Sequence, residues 1–528
     1  MSIILHDITY YHNDRTLLFE HLNCSIESGR HVNLIGNNGA GKSTLLQIMA
    51  GRLAPSEGSV TASSRPYYVP QQLGWLQQQT VAEALYADAK MKALQAILRG
   101  ETNEIFFETL ADEWDIEEKV LKALADWQLE HVLPTQPMRL LSGGEQTRVM
   151  LAGMELNAPP IVLLDEPTNH LDMRGRQQLY RFIEKYKGTL VVVSHDRALL
   201  QLNDTTLALA NGKLELYGGN YEFYKARREE QLNALQQDVH HREKELKLAK
   251  KQAQLSKERK QRQEGRDRDK GQGGIPKIFA NTMRNSAELS GAKSQAVHAE
   301  KVGGISKELQ QQREILGKEQ LLQLRFPDSL LHRGKKLVHA VGVNFAYGKK
   351  DLWPEPLDFQ INSGDRVTIR GANGVGKTTL LKLIMGILLP TKGILERAPC
   401  QIIYLDQQYS FIDPEKTVVE QLERFNRQHL EPSALKTLLI QYQLGVELWD
   451  KKCAQLSGGE KMKLTICCLY VSNTHPDVIV LDEPGNNLDI SSLEVFTHAL
   501  KTYKGALLLV SHDATLAEEL EMKTFIEL

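Results

Sequence analysis

Gly36-Asn37-Asn38-Gly39-Ala40-Gly41-Lys42-Ser43 has a second copy in the same chain, Gly371-Ala372-Asn373-Gly374-Val375-Gly376-Lys377-Thr378. Both stretches fit the phosphate loop G-x-x-x-x-G-K-[ST]. Its glycines let successive backbone N–H groups turn inward into an anion nest. The lysine reaches the β and γ phosphates, and the following hydroxyl is available to Mg²⁺. An apolar strand precedes each loop (His31-Val32-Asn33-Leu34-Ile35; Arg366-Val367-Thr368-Ile369). A helix follows, opening Thr44-Leu45-Leu46 or Thr379-Leu380-Leu381, so a helix N-terminus faces the phosphates. Two such loops predict nucleoside triphosphate bound at two sites.

Other landmarks repeat around the loops at nearly equal offsets, the mark of an internal duplication. Gln71 closes Tyr67-Tyr68-Val69-Pro70-Gln71, and Gln407 closes Ile403-Tyr404-Leu405-Asp406-Gln407. Leu141-Ser142-Gly143-Gly144-Glu145 recurs as Leu456-Ser457-Gly458-Gly459-Glu460. Apolar runs end in paired acids at Asp165-Glu166 and Asp482-Glu483, and Ser-His-Asp follows at 194–196 and 511–513. Each half thus alternates buried strands with helices, which predicts an α/β fold with a largely parallel, sandwiched sheet. The first half carries roughly twenty extra residues, assigned to about 99–120. That acidic stretch predicts a longer helical hairpin or a small contact arm.

With 528 residues the chain has room for several domains. A net charge of −2 gives no global attraction to nucleic acid, so any basic surface must be local. No apolar run is long enough to cross a bilayer, and the N-terminal residues lack the pattern of a signal peptide. Cys24, Cys400, Cys453, Cys467 and Cys468 show no metal or redox spacing and read as reduced thiols of a cytosolic protein.

Between the halves, residues 219–336 are rich in polar and charged side chains. Leu232, Leu235, Val239, Leu246, Ala249 and Ala253 keep a helical spacing, with Arg242 at one seam position. Val302, Ile305, Leu309 and Leu316 repeat that spacing, interrupted by Gln312. An antiparallel helical hairpin about 30–50 Å long is expected. Gly265, the glycines at 271–274, Pro276 and Gly303-Gly304 should break the helices and form a tip at about 256–304. Lys257, Arg259, Lys260 and Arg262 belong to a basic cluster leading into it, a candidate nucleic-acid footprint.

The order of motifs resembles the ATP-binding cassette superfamily over both halves. Leu-Ser-Gly-Gly-Glu makes the likeness specific, because a single-motif kinase or GTPase has no use for it. The resemblance implies that each phosphate loop faces the signature of the other half, with ATP between them. One site would combine Lys42, Ser43, Gln71, Asp165, Glu166 and His195 with Ser457 and Gly459. The other would combine Lys377, Thr378, Gln407, Asp482, Glu483 and His512 with Ser142 and Gly144. Mg²⁺ would be held by Ser43, Gln71 and Asp165, and by Thr378, Gln407 and Asp482, hard oxygen ligands for a hard cation. Glu166 and Glu483 would act as general bases on the attacking water. His195 and His512 would contact the γ-phosphate. Tyr11 (or His12) and Tyr347 would stack on adenine.

Asp165-Glu166-Pro167-Thr168-Asn169-His170-Leu171-Asp172 and Gly218-Gly219-Asn220-Tyr221-Glu222-Phe223-Tyr224 resemble the ABC-F family of ribosome-associated ATPases. Two tandem P-loop cassettes, 1–218 (helical subdomain about 75–155) and 337–528, would flank the long α-helical linker 219–336. The resemblance implies a cytoplasmic monomer whose cassettes form an intramolecular dimer, with no membrane and no metal beyond Mg-ATP. It further implies binding at the ribosomal tRNA exit site, with the linker pointing toward tRNA and the peptidyl-transferase centre. Closure of the halves would reorient the linker tip. Two other readings are the ATPase subunit of a membrane transporter and a DNA-repair or maintenance ATPase. The latter places its coiled coil inside a cassette, unlike this chain. The second half departs from the family pattern at Gly485, where the first has Thr168. A looser second site that hydrolyses more slowly is expected, unless Gly485 serves a backbone conformation that threonine cannot adopt.

Overall fold

A computed structural model describes residues 2–12, 14–71, 74–169, 171–210, 212–269, 300, 302–310, 312, 325–348, 350–372, 374–406, 409–485 and 488–528. Met1–Tyr224 and Leu322–Leu528 form one compact unit and Lys225–Leu321 another. Gln407 and Asn373 lie outside the described residues, as do most of the expected linker tip and Leu316.

The first cassette is built on a six-stranded sheet. Its order is Tyr67–Val69, Ile161–Asp165, Thr189–Val193, His31–Ile35, Thr205–Ala210 and Lys213–Tyr217. All neighbours are parallel except the last pair. Ile161–Asp165 and Thr189–Val193 are buried along their whole length, as their unbroken apolar runs require of strands covered on both faces. A second, antiparallel sheet joins Leu17–Ile26, Ile3–Tyr11 and Glu57–Ala62. The second cassette repeats the plan. Its parallel sheet runs Ile402–Leu405, Val478–Asp482, Ala506–Val510, Arg366–Arg370, Thr524–Glu527, and Leu357–Asn362, Lys336–Asn344 and Lys392–Arg397 form the antiparallel one. In both cassettes the parallel strands bring the phosphate loop and the paired acids to one sheet edge, where ligands of open α/β sheets bind.

The helical subdomains begin alike, with Thr80–Glu83 and Thr417–Glu420 forming capping boxes on Val81–Ala84 and Val418–Phe425. The first then has Asp88–Leu98, Glu104–Leu110 and Ile116–Asp126 where the second has Pro432–Gln441 alone. The extra pair is the hairpin Asp88–Leu98/Glu104–Leu110, so the insertion starts earlier than its acidic composition indicated. Lys90 and Glu113 are ion-paired across its base.

In the linker unit, Tyr221–Asp269 is one helix of 49 residues, about 74 Å at 1.5 Å per residue and longer than the spacing predicted. It passes through Gly265, and residues 302–310, including Gly303 and Gly304, are helical as well. The glycines therefore do not break these helices. A single helical glycine costs only about 1 kcal/mol relative to alanine, and the flanking Lys, Arg, Glu and Gln residues favour helix. Val239 and Leu309 are buried together, with Leu235 and Leu246 against them. Arg242 fits the seam because it ion-pairs with Glu308. The backbone at Lys257, Arg259, Lys260 and Arg262 is helical, but their side chains are not among those described. All five cysteines are free thiols. Among the described residues no helix is long and apolar enough to cross a membrane.

Candidate active site

Each phosphate loop leaves its strand and enters a helix through a glycine in the left-handed region, Gly41 at φ 97° and Gly376 at φ 100°. A Cβ at either position would collide with a leucine side chain, Leu18 at 2.8 Å or Leu352 at 2.5 Å. The loops curl around their lysines. Lys42 Nζ donates to the carbonyls of Gly36 (2.7 Å) and Asn37 (3.1 Å). Lys377 Nζ donates to Gly371 (2.9 Å) and Ala372 (3.2 Å) and lies 3.3 Å from His512 Nε2. Burial lowers the pKa of both amines, against the opposing pull of nearby carboxylates. Ser43 Oγ donates to Asp165 Oδ1 at 3.1 Å and Thr378 Oγ1 to Asp482 Oδ2 at 3.4 Å. The hydroxyl and the carboxylate therefore converge in each cassette. Two tyrosines that sequence reasoning did not assign support these aspartates: Tyr68 donates to Asp165 at 3.2 Å and Tyr404 to Asp482 at 2.8 Å. Their signal was the recurrence of a tyrosine at one strand position in both halves.

The next residues, Glu166 and Glu483, take φ values of 50° and 51°, a strained geometry for glutamate. Their own N–H groups hold it by donating to Val193 and Val510 carbonyls at 2.8 Å each. The side chains point back toward the histidines. His195 Nε2 is 3.3 Å from Glu166 Oε1, and His512 Nε2 is 3.5 Å from Glu483 Oε1. In both carboxylates Oε1 is buried without a hydrogen-bond partner, leaving an acceptor free for a water or substrate hydrogen. Burial, with repulsion from Asp165, pushes the Glu166 carboxyl up to about 8. Burial likewise raises Glu483 to about 7. His195 falls to about 3 and His512 to about 4, chiefly by burial and then by the nearby lysine charge. The site thus sets a carboxyl group raised toward neutrality by burial beside a neutral imidazole.

A cavity of about 1090 Å³ spans the two cassettes. The first contributes Gly39, Lys42, Ser43, Thr44, Gln71, Asp165, Glu166 and His195 to its lining, and the second contributes Ser457, Gly458 and Lys461. Asp489 crosses between the halves. Its Oδ2 accepts from Asn38 N–H at 3.0 Å, while its Oδ1 caps helix Ile490–Thr502 by accepting from Ser492 N–H. Burial alone would raise the Asp489 carboxyl, but these hydrogen bonds hold it below its ordinary value. Ser491 Oγ donates to Asn37 Oδ1 at 3.3 Å. Ser457 caps helix Gly458–Val471 in a box with Glu460, so the positive end of that helix faces the cavity. Ser142 and Glu145 cap Gly143–Asn157 in the same way. At the second phosphate loop, the charges of Asp172 and Arg176 from the first cassette act on His512.

Comparisons with known proteins fit this geometry. The ABC transporter family model matches residues 19–169 and 354–486. The ATP-binding protein Uup of Haemophilus influenzae is 30% identical, over 94% of this chain and 74% of its own. The chain belongs to the ABC-F family. Its cassettes are ATP-binding domains, and the protein is an ATPase. Another ABC-F relative, the ribosome protection protein VmlR of Bacillus subtilis, is 29% identical over 98% of this chain and 85% of its own. The solved structure of an RNase-L Inhibitor shares the fold over 99% of this chain and 87% of its own, with TM-score 0.60 and 22% identity.

Within this ABC-F chain some expected site residues fall elsewhere. His12, not Tyr11, lines the cavity. Tyr11 is still paired in the strand, opposite Leu17, and its ring is exposed, whereas His12 lies just beyond the strand end. Tyr347 hydrogen-bonds Thr379 at 3.1 Å beside the second loop. Gly458 lines the cavity, while Gly459 packs on Ser492, whose Oγ would lie 2.3 Å from an added Cβ. Gly144 occupies the corresponding second position of its helix. Lys461 and Asp489 were not picked out as parts of the first site, because nothing local in the sequence says which distant segment they face.

Proposed function

We propose that each phosphate loop holds the triphosphate of ATP against the signature helix of the opposite cassette. Closure around the nucleotide would then make the chain competent to bind the ribosome at the tRNA exit site. The observation that carries this reading is the cavity shared by Lys42 and Ser457, bridged by Asp489 and Asn38. The curled loops and the paired hydroxyl and carboxylate fit Mg-ATP. Ser43 and Asp165, with Gln71 beside them, would hold the cation in the first site. Thr378 and Asp482, with Gln407, would hold it in the second. Bound Mg²⁺ would offset charge on the phosphate oxygens. Lys42 and Lys377 would exchange backbone carbonyls for phosphate oxygens. Glu166 and Glu483 would orient the attacking water through the unpartnered Oε1 and take its proton, which their raised pKa favours. His195 and His512, neutral at physiological pH, would donate to the γ-phosphate.

The ribosome reading draws on the similarity to the ribosome protection protein VmlR and on the long charged linker helix. In this proposal the linker reaches toward tRNA and the peptidyl-transferase centre to modulate translation or protect the ribosome. The chain would act as a cytoplasmic monomer whose two cassettes close on each other. Glu166→Gln with Glu483→Gln should lower ATP turnover by about 10²–10⁴-fold while leaving nucleotide binding intact. The double variant should co-sediment with ribosomes in ATP and leave them in nucleotide-free buffer. A variant that binds ATP but stays in the supernatant would remove the ribosome from this proposal.

A further inference from the structure

Helix Met173–Lys185 and the turn after it wall a groove of about 990 Å³ on the first cassette, away from the ATP cavity. The second cassette has the same crevice, because Met173–Gly188 aligns without a gap on Ile490–Gly505. Tyr186 and Tyr503 mark the equivalence. Each hydroxyl donates to the carbonyl of a proline that leads into the next buried strand, Pro159 in one case and Pro476 in the other.

In the second cassette the chain itself fills this crevice. Phe326 is 4% exposed and packs on Phe496 and Tyr503, with ring centroids 6.1 and 6.3 Å away. Ser329 Oγ donates to Asp477 at 2.6 Å, and Asp328 pairs with Lys504 at 3.3 Å. An extended segment is thus held by a buried ring, a hydroxyl and a carboxylate.

The first-cassette groove is open and more basic. Arg174, Arg181, Lys185 and Lys187 stand where the second cassette has Ser491, His498, Thr502 and Lys504. None of these four cations is ion-paired among the described residues. Asp126 and Glu155 also line the groove, but Glu155 already accepts from Trp127 Nε1 at 2.9 Å. Phe182 stands where the second cassette has Ala499 and stacks on Tyr186, the counterpart of the Tyr503 that Phe326 touches, at 5.5 Å. Both rings remain only half-buried.

We propose that this groove binds an extended acidic peptide segment of a separate protein, along the course that Phe326–Leu330 follows in the second cassette. An aliphatic anchor lies over Phe182, and flanking carboxylates pair with Arg181, Lys185 and Lys187. RNA could use the same cations, but the occupant of the duplicate crevice is polypeptide, held partly by apolar contact.

The test uses the full chain and a fluorescein-labelled peptide. The peptide carries the order of Phe326–Leu330 with leucine in the phenylalanine position and glutamates on both flanks, and anisotropy reports binding. Arg181→Glu with Lys185→Glu and Lys187→Glu should weaken binding at least about tenfold, as should Phe182→Ala by about threefold, with ATP turnover unchanged as the check on folding. A scrambled peptide of the same composition should bind at least about fivefold more weakly. No binding to the wild-type chain, equal binding of the scrambled peptide, or stronger competition by oligouridylate than by unlabelled peptide overturns the proposal.

Discussion

In the first cassette Glu166 is 7% exposed and 3.3 Å from His195. The turn beyond it is tied to the histidine loop by Thr168 Oγ1, 3.4 Å from Ser194 Oγ. In the second cassette Glu483 is 12% exposed and 3.5 Å from His512, and Gly485 offers no such tie. Gly485 is not in the left-handed region, and an added Cβ would meet only Leu493 at 4.0 Å. The glycine therefore does not serve a backbone that threonine could not adopt, which removes that alternative explanation for Gly485. The contrast extends inward. Arg176 forms a buried ion pair with Asp196 at 3.1 Å, and Leu493 takes the corresponding place in the second cassette. The two halves place the same glutamate and histidine side by side, but the first holds them with more polar ties. Unequal settings of this kind set unequal rates when the base must be positioned before it acts.

The largest effect should come from removing the inner tie. Arg176→Leu imports the residue of the second cassette but leaves the buried Asp196 without its cationic partner, with only the Tyr180 hydroxyl and Leu199 N–H still donating to it, at a cost of about 3–5 kcal/mol. The charge of Arg176 also reaches Asp513 across the interface, so both halves should feel the change in denaturant unfolding. A loss under about 1 kcal/mol would mean that the pair contributes no more than a surface salt bridge. Next in size is the bridge between cassettes. Asp489→Ala removes a charge-assisted hydrogen bond and a helix cap, together about 1.5–3 kcal/mol. The KM for ATP should rise by about tenfold or more, and an unchanged KM would separate Asp489 from nucleotide closure.

The parts readable in the sequence were those whose meaning is local. The phosphate loops, paired acids and signatures each place their chemistry by spacing along one strand or helix, and the duplication made each copy a check on the other. Contacts between remote segments were not readable. Nothing near Asp489 says that it meets Asn38, and nothing near Phe326 says that it fills a crevice beside Tyr503. Of the two residues offered for the aromatic role, Tyr11 and His12, the pattern could not choose, because the end of strand Ile3–Tyr11 is not fixed by it; His12 is the one that lines the cavity. Gly265 and Gly303-Gly304 misled because a local helix penalty is small beside the pairing of Val239 with Leu309.

The smallest effects should come from exchanging the turn residues. Thr168→Gly should slow the first site by about twofold to fivefold, the equivalent of about 0.5–1 kcal/mol. Gly485→Thr should speed the second by a similar factor, since there is room for its side chain. Single-site rates can be read with the other site's glutamate replaced by glutamine. If neither exchange moves its own site, Thr168 is not what sets the two cassettes apart.

The claim that the first site is the faster one is tested most directly by comparing Glu166→Gln and Glu483→Gln as single variants. Both should be made in the full chain and assayed for steady-state ATP turnover at saturating nucleotide. Glu166→Gln should lose the larger share of activity, because it disables the site whose base is more buried, closer to its histidine and tied through Thr168. Equal losses, or a larger loss in Glu483→Gln, would contradict the account.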